Sequence, residues 1–281
     1  DQAISSVITV DYTVTGTATG GGTDYTLANG TLTFPANSSS QNITIAGIVD
    51  DALDEDNETV IVTLSNPTNA NLGTNTVHTY TINDNDPLST VSFVATSSNG
   101  AESQSTVNIE VGLTNVTGRS VSVDYTLSGT ASGGGVDYTL ANGTLTFAAG
   151  ENSKFITINI NNDALFEENE TVIVTLSNPT NLGLGTNTIH TYTILNDDNA
   201  PIIEFNSATS SGAESVNSVN VQVDLDAVSG KDVTVDYKVS SQSTATGGGT
   251  DYVLADGTLT ITAGNTSGNI TITGIADDAL D

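Results

Sequence analysis

The chain has 281 residues, of which 33 are Asp or Glu and only 4 are Lys or Arg, and it contains no Cys, Met or Trp. A formal net charge of −29 argues against nucleic acid and anionic lipid as partners, because phosphates and lipid headgroups of that kind need a basic surface. Such a surface favours cations, since unpaired like charge destabilises a compact state until something neutralises it. No apolar run approaches the roughly 18 residues of a membrane span, so we expect no membrane insertion in this segment.

Short alternating patterns predict β-strands along the whole chain, although high net charge with few aromatic residues is also a signature of disorder. Val, Ile, Leu, Tyr and Phe alternate with Thr and Ser, as they do in half-buried strands. In the first such run, ITVDYTV, the side chains of Ile8, Val10 and Tyr12 share one face. No segment has a 3.6-residue period, so the sequence predicts an all-β protein.

A hairpin is the next predicted element, in TDYTLANGTLTF (23–34), with Asn29 and Gly30 at its turn. Tight hairpin turns need residues with positive φ, which Asn-Gly and Asp-Gly supply. The same dipeptide recurs at 142–143 and, as Asp-Gly, at 256–257. The preceding GGGTDY is predicted to be a turn, because it lacks the Lys-Ser/Thr pair of a phosphate-binding loop.

Self-similarity shows that the chain is a tandem repeat with a period of about 112 residues. VDYTVTGTATGGGTDYTLANGTLTF (10–34) returns at 123–147 and, with a short insertion, at 235–261. DALDEDNETVIVTLSNPTN (51–69) returns at 163–181, and HTYTINDND (78–86) returns as HTYTILNDD (190–198). This period fits an independent domain better than a solenoid unit of ~20–50 residues. About seven short strands per period predict tandem immunoglobulin-like antiparallel β-sandwiches.

The repeats divide the chain into three predicted domains, 1–86, 87–200 and 201–281, called here the first, middle and third repeats. Only the middle repeat is complete. The first lacks the strand equivalent to TVNIEVGLT (106–114), and the third ends before the strands equivalent to 171–195. We therefore expect a fragment of a longer array, truncated N-terminally in the first repeat and C-terminally in the third.

Acidic residues recur at equivalent loop positions of each repeat, and an antiparallel sandwich can bring several such loops together at one pole. Ca²⁺ takes six to eight oxygen ligands at ~2.3–2.6 Å, which a pole of five or six carboxylates can supply. An EF-hand is excluded, since neither DEDNET (54–59) nor DNDPLS (84–89) has the Gly that its loop needs. Ca²⁺ is the expected cofactor, and a merely solvated, solubilising acidic surface is the alternative.

The ordered motifs DY, GTLTF, DDALDEDNETVIVTLSNP and YTINDND resemble the Calx-β domain of sodium–calcium exchangers and of many bacterial surface proteins. The resemblance covers the whole chain and implies two-sheet sandwiches that bind Ca²⁺ at one pole. It also implies the ligand types: a Glu near the first strand, the Asp of DY, the acids of DD-x-x-x-E-x-x-E and a terminal acidic triplet. Matched to this sequence, those ligands are Asp24, Asp50, Asp51, Glu55, Glu58, Asp84 and Asp86 in the first repeat; Glu102, Asp137, Asp163, Glu167, Glu170, Asp197 and Asp198 in the middle repeat; and Glu214, Asp251, Asp277 and Asp278 in the third.

Other positions depart from the family pattern or stand outside it. Ser103 and Ser215 replace a Gly, and Asn dilutes the terminal triplets. Fewer charges usually weaken calcium binding, so we expect an affinity of an extracellular module, on the order of 10⁻⁴–10⁻³ M. Asp54 and Asp56 are predicted to be bystanders that face solvent, because Phe166 occupies the position of Asp54 in the second copy.

The sequence offers no parts for acyl-transfer chemistry, and no enzymatic activity is predicted. His78 and His190, one in each of two repeats, are expected to be structural. We predict the structural repeat region of an extracellular, bacterial cell-surface adhesin or filament, rigidified by Ca²⁺ at the domain poles. Its partners would be neighbouring repeats and, through self-assembly, other copies; no adhesion ligand is indicated. The alternative is a calcium-sensing or ligand-binding module of a larger secreted or surface protein.

Overall fold

The computed structural model describes residues 5–277, and every regular element in that range is a β-strand. The first repeat contains β1 (Ile8–Gly16), β2 (Gly30–Phe34), β3 (Glu58–Thr68) and β4 (Val77–Ile82). The middle repeat contains β5 (Thr90–Phe93), β6 (Ser97–Ala101), β7 (Thr106–Leu113), β8 (Val121–Gly129), β9 (Tyr138–Thr139), β10 (Gly143–Phe147), β11 (Ser153–Ile160), β12 (Glu170–Thr180), β13 (Gly183–Leu184) and β14 (Ile189–Leu195). The third contains β15 (Ile203–Phe205), β16 (Ser218–Leu225), β17 (Val233–Tyr237), β18 (Gly257–Ile261) and β19 (Ser267–Thr273). The all-β prediction is confirmed, and the described part of the chain holds no helix that could cross a membrane.

The middle repeat is a sandwich of two five-stranded sheets, in the orders β10-β8-β12-β14-β6 and β13-β5-β7-β11-β9. Its pairings are antiparallel except where β6 runs parallel to β14 and β13 runs parallel to β5. Alternate apolar residues point inward, such as Val172 and Val174 on β12 and Ile156 and Ile158 on β11, and all four are buried between the sheets. The predicted sandwich is therefore confirmed.

The predicted Asn-Gly hairpin is wrong. β2 pairs with β1 and β10 pairs with β8, whereas the segment before the Asn-Gly, β9 in the middle repeat, pairs with β11 in the opposite sheet. In the middle repeat the chain thus crosses between sheets at Asn142-Gly143, and neither these residues nor Asn29 and Gly30 lie in the left-handed region. Gly30 instead leaves room for the Tyr12 side chain, because a Cβ there would lie 2.7 Å from Tyr12 Oη. Asn29 Oδ1 accepts a hydrogen bond from the Val14 amide at 2.7 Å.

The glycine-rich turn forms as predicted, and it orients the Asp that follows it. Gly21 and Gly22 have φ of 81° and 94°, a conformation that costs glycine little. Asp24 closes the turn twice, since its amide donates to the Thr19 carbonyl at 3.0 Å and its Oδ2 accepts from the Thr19 amide at 2.5 Å. Asp137 and Asp251 make the same pair of contacts in the other repeats.

The first and third repeats contain parts of the same architecture. The first has the sheet β2-β1-β3-β4, and the third has the sheets β15-β16-β19 and β17-β18. The two histidines differ accordingly. His190 is buried, with Nδ1 2.7 Å from the Ala95 carbonyl oxygen and Nε2 2.8 Å from Ser98 Oγ on β6. His78 lies on β4, which pairs with β3 alone among the described strands, and its side chain is exposed.

Candidate metal centre

Strand pairing in the middle repeat brings separate acidic segments to one pole. β12 begins at Glu170, which pairs with Ile194 near the end of β14, and β14 in turn pairs in parallel with β6 up to Ala101. The start of β12 and the ends of β14 and β6 therefore meet at one edge of this sheet. The opposite sheet contributes Asp137, which directly precedes β9, and Asp163, which follows β11.

Three carboxylates converge closely at this pole. One oxygen each from Glu102, Asp163 and Asp198 lies within 4.8 Å of the other two. Glu102 is only 7% exposed, and both Glu102 Oε1 and Asp198 Oδ2 are buried without a hydrogen-bond partner. Burial, followed by the hydrogen bond that a protonated Glu102 can donate to Asp198 and by the charges of Asp198, Asp163 and Asp197, raises the pKa of Glu102 to about 7. Buried carboxylate oxygens without a donor are costly unless a proton or a cation neutralises them.

A second acidic pair, Asp137 and Glu170, lies beside these three residues. Burial, then the hydrogen bond and charge of Asp137 and the charge of Glu167, raises the pKa of Glu170 to about 7. Burial raises the pKa of Glu167 as well, followed by the charges of Asp163, Asp137 and Asp198. The charges of both groups of acids therefore act on Glu167. A small cavity connects the two groups and is lined by Glu102, Asp137, Glu167 and Glu170.

The donor set fits a hard divalent cation. Ligand oxygens that surround one Ca²⁺ at ~2.3–2.6 Å stand no more than about 5 Å apart, and the three close carboxylate oxygens satisfy this limit. Only oxygen donors are present, and oxygen ligands suit Ca²⁺, Mg²⁺ and Mn²⁺, whereas Zn²⁺ and copper favour nitrogen and sulfur. The unpartnered oxygens of Glu102 and Asp198 are the atoms that a cation would satisfy.

Neutral side chains that the sequence did not single out as functional hold this pole in shape. Ser103 Oγ donates to Asp197 Oδ2 at 2.5 Å, so the Ser that replaces the family Gly tethers a predicted ligand. Asn196 Oδ1 accepts from the Glu167 amide at 3.0 Å, and Asn169 Oδ1 accepts from the Asn196 amide at 3.0 Å. A signal for Asn169 existed, because the same Asn-Glu-Thr-Val follows the acidic loop in both copies.

In the first repeat the predicted ligands face one another across a more open space. They line a cleft of about 180 Å³: Asp24, Asp50, Asp51, Glu55, Glu58, Asp84 and Asp86. Burial, followed by the charges of Asp51, Asp24, Asp84 and Asp86, raises the pKa of Glu55. Within residues 5–277, however, only the middle repeat brings three carboxylate oxygens within 4.8 Å of one another.

The predicted ligands of the third repeat do not form a cluster in the described structure. Asp251 closes the glycine-rich turn through its Oδ2. Asp277 and Glu214 are both exposed, and no group of three candidate ligands is found among the described residues of this repeat. Asp278 lies outside the described residues.

Comparison with known proteins agrees with the motifs and the fold. A model of the Calx-beta domain matches residues 2–87, 84–198 and 196–281. The chain belongs to the Calx-beta domain family.

Curated relatives of this Calx-beta chain are ion exchangers. Sodium/calcium exchanger 1 of Rattus norvegicus is 32% identical over 193 residues, which cover 60% of this chain and 19% of the relative. Sodium/calcium exchanger 3 of Mus musculus is 31% identical over 180 residues, covering 57% of this chain and 19% of the relative. The chain thus spans about a fifth of the length of the curated relatives that it matches.

Among solved structures, the apo-form Calx CBD1 domain is 28% identical with a TM-score of 0.37, covering 40% of this chain and 100% of that one. The CBD12 structure from CALX1.2 is 27% identical with a TM-score of 0.37, covering 65% of this chain and 75% of that one.

The joint between the first and middle Calx-beta repeats corrects one prediction about the acidic loop. Asp54 does not face solvent, because it is only 5% exposed. Its Oδ1 accepts a hydrogen bond from an Arg119 guanidinium nitrogen at 2.7 Å, and Asp56 Oδ1 accepts from the other terminal nitrogen at 2.6 Å. The Asp56 side chain is 79% exposed, as predicted, but it is paired. The sequence hid these contacts, since Arg119 belongs to the next repeat.

Proposed function

We propose that this chain is the structural repeat region of an extracellular surface adhesin or filament, in which Ca²⁺ at the domain poles rigidifies the array. One observation carries the calcium assignment: three carboxylates of the middle repeat converge within 4.8 Å, and Glu102 and Asp198 keep buried oxygens with no donor. In this proposal Glu102, Asp163 and Asp198 hold the ion.

The proposed ion would act on charge balance at the pole. The raised pKa values of Glu102 and Glu170 reflect crowding of carboxylates in a partly buried place. Ca²⁺ binds the ionised forms, so binding near neutral pH releases protons and relieves the repulsion. A ligand that binds only the folded state stabilises it by RT ln(1 + [L]/Kd), which is about 1.4 kcal/mol per site at tenfold saturation.

Two further features support a stalk rather than a catalyst or a flexible tether. The repeats are nearly identical in long segments, as expected of a structural array. The linkers NDNDPLST and NDDNAPIIEF are short, contain Pro and acidic residues, and lack Gly/Ser flexibility. Neighbouring repeats are thus the first partners of each domain, and an extracellular location would supply Ca²⁺ at the concentration that the Asn-diluted acidic triplets require.

A second candidate function is calcium sensing, which the similarity to sodium/calcium exchangers favours. The two candidates differ in how the molecule responds to the ion. A stalk gains stability and stiffness with little change of shape, whereas a sensor rearranges between two discrete conformations.

Thermal unfolding of the full chain in EGTA and in millimolar Ca²⁺ tests the proposal. The variant Glu167→Gln/Glu170→Gln removes two acids of the pole. Its matched control, Glu110→Gln/Glu204→Gln, removes the same charge from β7 and β15, where neither acid forms an ion pair with a described residue.

We expect Ca²⁺ to raise the Tm of the wild type and the control, by on the order of 5 °C for a gain above 1 kcal/mol, and to raise that of the pole variant much less. An unchanged wild-type Tm would contradict calcium binding. Small-angle X-ray scattering of the same samples separates the candidates, since a discrete calcium-dependent change of shape would favour the sensor over the stalk.

A further inference from the structure

The two joints between repeats are built from the same backbone contacts. We call residues 54–56 and 166–168 the acidic arms, and residues 117–119 and 229–231 of the following repeats the docking loops. The Gly118 amide donates to the Asp54 carbonyl at 3.1 Å, and the Gly230 amide donates to the Phe166 carbonyl at 3.1 Å. A parallel bridge joins arm and loop in each case, Asp54 with Thr117 and Phe166 with Ser229.

A glycine in each docking loop allows the loop to lie directly on the arm. A Cβ on Gly118 would stand 2.1 Å from Glu55 Oε1 and 2.6 Å from its Cγ. A Cβ on Gly230 would stand 2.6 Å from Glu167 Cγ. Neither glycine has a positive φ, so backbone conformation does not require glycine there, and its small size leaves room for the Glu side chain of the arm.

The side chains at the two joints differ, and the cation of the docking loop changes together with the residues of the acidic arm. In the first joint the Arg119 guanidinium forks between Asp54 Oδ1 at 2.7 Å and Asp56 Oδ1 at 2.6 Å. In the second joint the Lys231 ammonium pairs with Glu168 and lies 5.0 Å from the centre of the Phe166 ring. Two of the four Lys and Arg residues of the chain are thus placed at equivalent positions of its two joints.

The two joints differ in which cation, Arg or Lys, each can accept. Asp54 is 5% exposed and its Oδ2 already lacks a partner, so losing the bond to Oδ1 would leave a buried carboxylate with none, which is strongly destabilising. Two carboxylates that are bound by the two terminal nitrogens of one planar guanidinium need Arg, since Lys offers a single point charge. An aromatic ring beside one acid, by contrast, accepts either cation, because both Arg and Lys bind the faces of aromatic rings.

We propose that each acidic arm is a docking site for the Gly-cation loop of the following repeat and that the first arm is selective, since Asp54 requires Arg whereas Phe166 accepts Lys or Arg. Nearly identical tandem domains are prone to pair with the wrong neighbour. The Asp54 arm would therefore favour the Arg119 loop of the adjacent repeat over the Lys231 loop. This selectivity does not depend on the calcium proposal, because every contact in it lies between protein groups.

Spin-label distances in the full chain test the selectivity. The chain has no Cys, so pairs of Cys can be introduced at exposed positions: Ser39 and Ser153 report on the first joint, and Ser153 and Thr260 on the second. Measurements are made in EGTA, so that failure of the calcium proposal cannot produce the result. The variants are Arg119→Lys, Lys231→Arg and Asp54→Phe/Asp56→Glu/Arg119→Lys, which converts the first joint to the second type. Lys154→Arg is the control, because Lys154 pairs with Glu151 inside the middle repeat at 3.0 Å.

We expect narrow distance distributions for both wild-type joints. Arg119→Lys should broaden the first joint only, Lys231→Arg and the control should leave both narrow, and the triple variant should restore the first joint. The proposal is overturned if Arg119→Lys leaves the first joint narrow, if Lys231→Arg broadens the second as much, or if the triple variant stays broad while its thermal unfolding matches the wild type.

Discussion

The acidic poles of the first and middle repeats carry almost the same loop but hold their carboxylates differently. DALDEDNETV in the first repeat and DALFEENETV in the middle one share most of their acids. The middle pole brings three carboxylate oxygens within 4.8 Å, whereas the acids of the first line a cleft of about 180 Å³. In the middle repeat, β6 pairs with β14 and places Glu102 beside Asp198. The acidic loop supplies carboxylates in both repeats, and in the middle repeat the strand at the sheet edge adds one more.

The pKa values of the glutamates can also be compared between the two poles. The pKa values of Glu102 and Glu170 rise to about 7 in the middle repeat, chiefly through burial and then through their partners Asp198 and Asp137. In the first repeat the pKa of Glu58 rises for the same reasons, burial and then Asp24. Under the calcium proposal, tighter convergence means that the middle pole should gain more from a cation.

The greatest loss of calcium affinity is expected from removing the carboxylate of Glu102. Glu102→Gln keeps the shape of the side chain but removes one carboxylate, so the middle repeat should bind Ca²⁺ roughly tenfold to a hundredfold more weakly, since calcium affinity depends steeply on ligand charge. Calorimetric titration of the full chain measures this, with Glu110→Gln as the control. An unchanged titration would show that Glu102 is not a calcium ligand of the middle pole.

A pH dependence is the next expected effect. A carboxyl group with a raised pKa in the folded state holds a proton that the unfolded chain releases, so its contribution to stability is present below the ordinary value of 4.5 and is lost as pH rises towards about 7. In EGTA, the middle repeat should therefore be more stable at pH 5 than at pH 8.

The variant Glu102→Gln/Glu170→Gln tests the origin of that dependence, and we expect it to flatten the difference in Tm between pH 5 and pH 8. Saturating Ca²⁺ should flatten it as well, because the ion holds the ionised carboxylates. If the calcium-free wild type were equally stable at both pH values, the two glutamates would not be crowded as described.

The smallest expected effect concerns the tether of Asp197. Ser103→Ala removes the hydroxyl that donates to Asp197 Oδ2, and a single hydrogen bond contributes about 1 kcal/mol, or roughly a fivefold change in affinity. Calorimetry should show this modest weakening in the middle repeat only. A loss as large as that of Glu102→Gln would mean that Ser103 shapes the whole pole.

Local patterns predicted the strands, the repeat and most acids of the pole, because alternation and residue type act within a few positions of the chain. These local patterns did not predict contacts whose partner lies far away in the sequence. The Asn-Gly dipeptide looked like a hairpin, but pairing of β9 with β11 is a property of the two sheets. Asp54 looked exposed, but its partner Arg119 lies in the next repeat. Ser103 and Asn196 carry no charge, so only the folded geometry shows their role.

Hydrogen exchange of the full chain, with EGTA and with millimolar Ca²⁺, can show whether the pole of the middle repeat is a cation site, because it resolves each repeat within one molecule. We expect Ca²⁺ to slow exchange most in segments 100–104, 163–170 and 194–198, and less in segment 50–58. We expect little change around Glu214, which is exposed and outside any acidic cluster of the described residues. Unchanged exchange at the middle pole, or equal protection around Glu214, would contradict the claim that the pole of the middle repeat is a cation site.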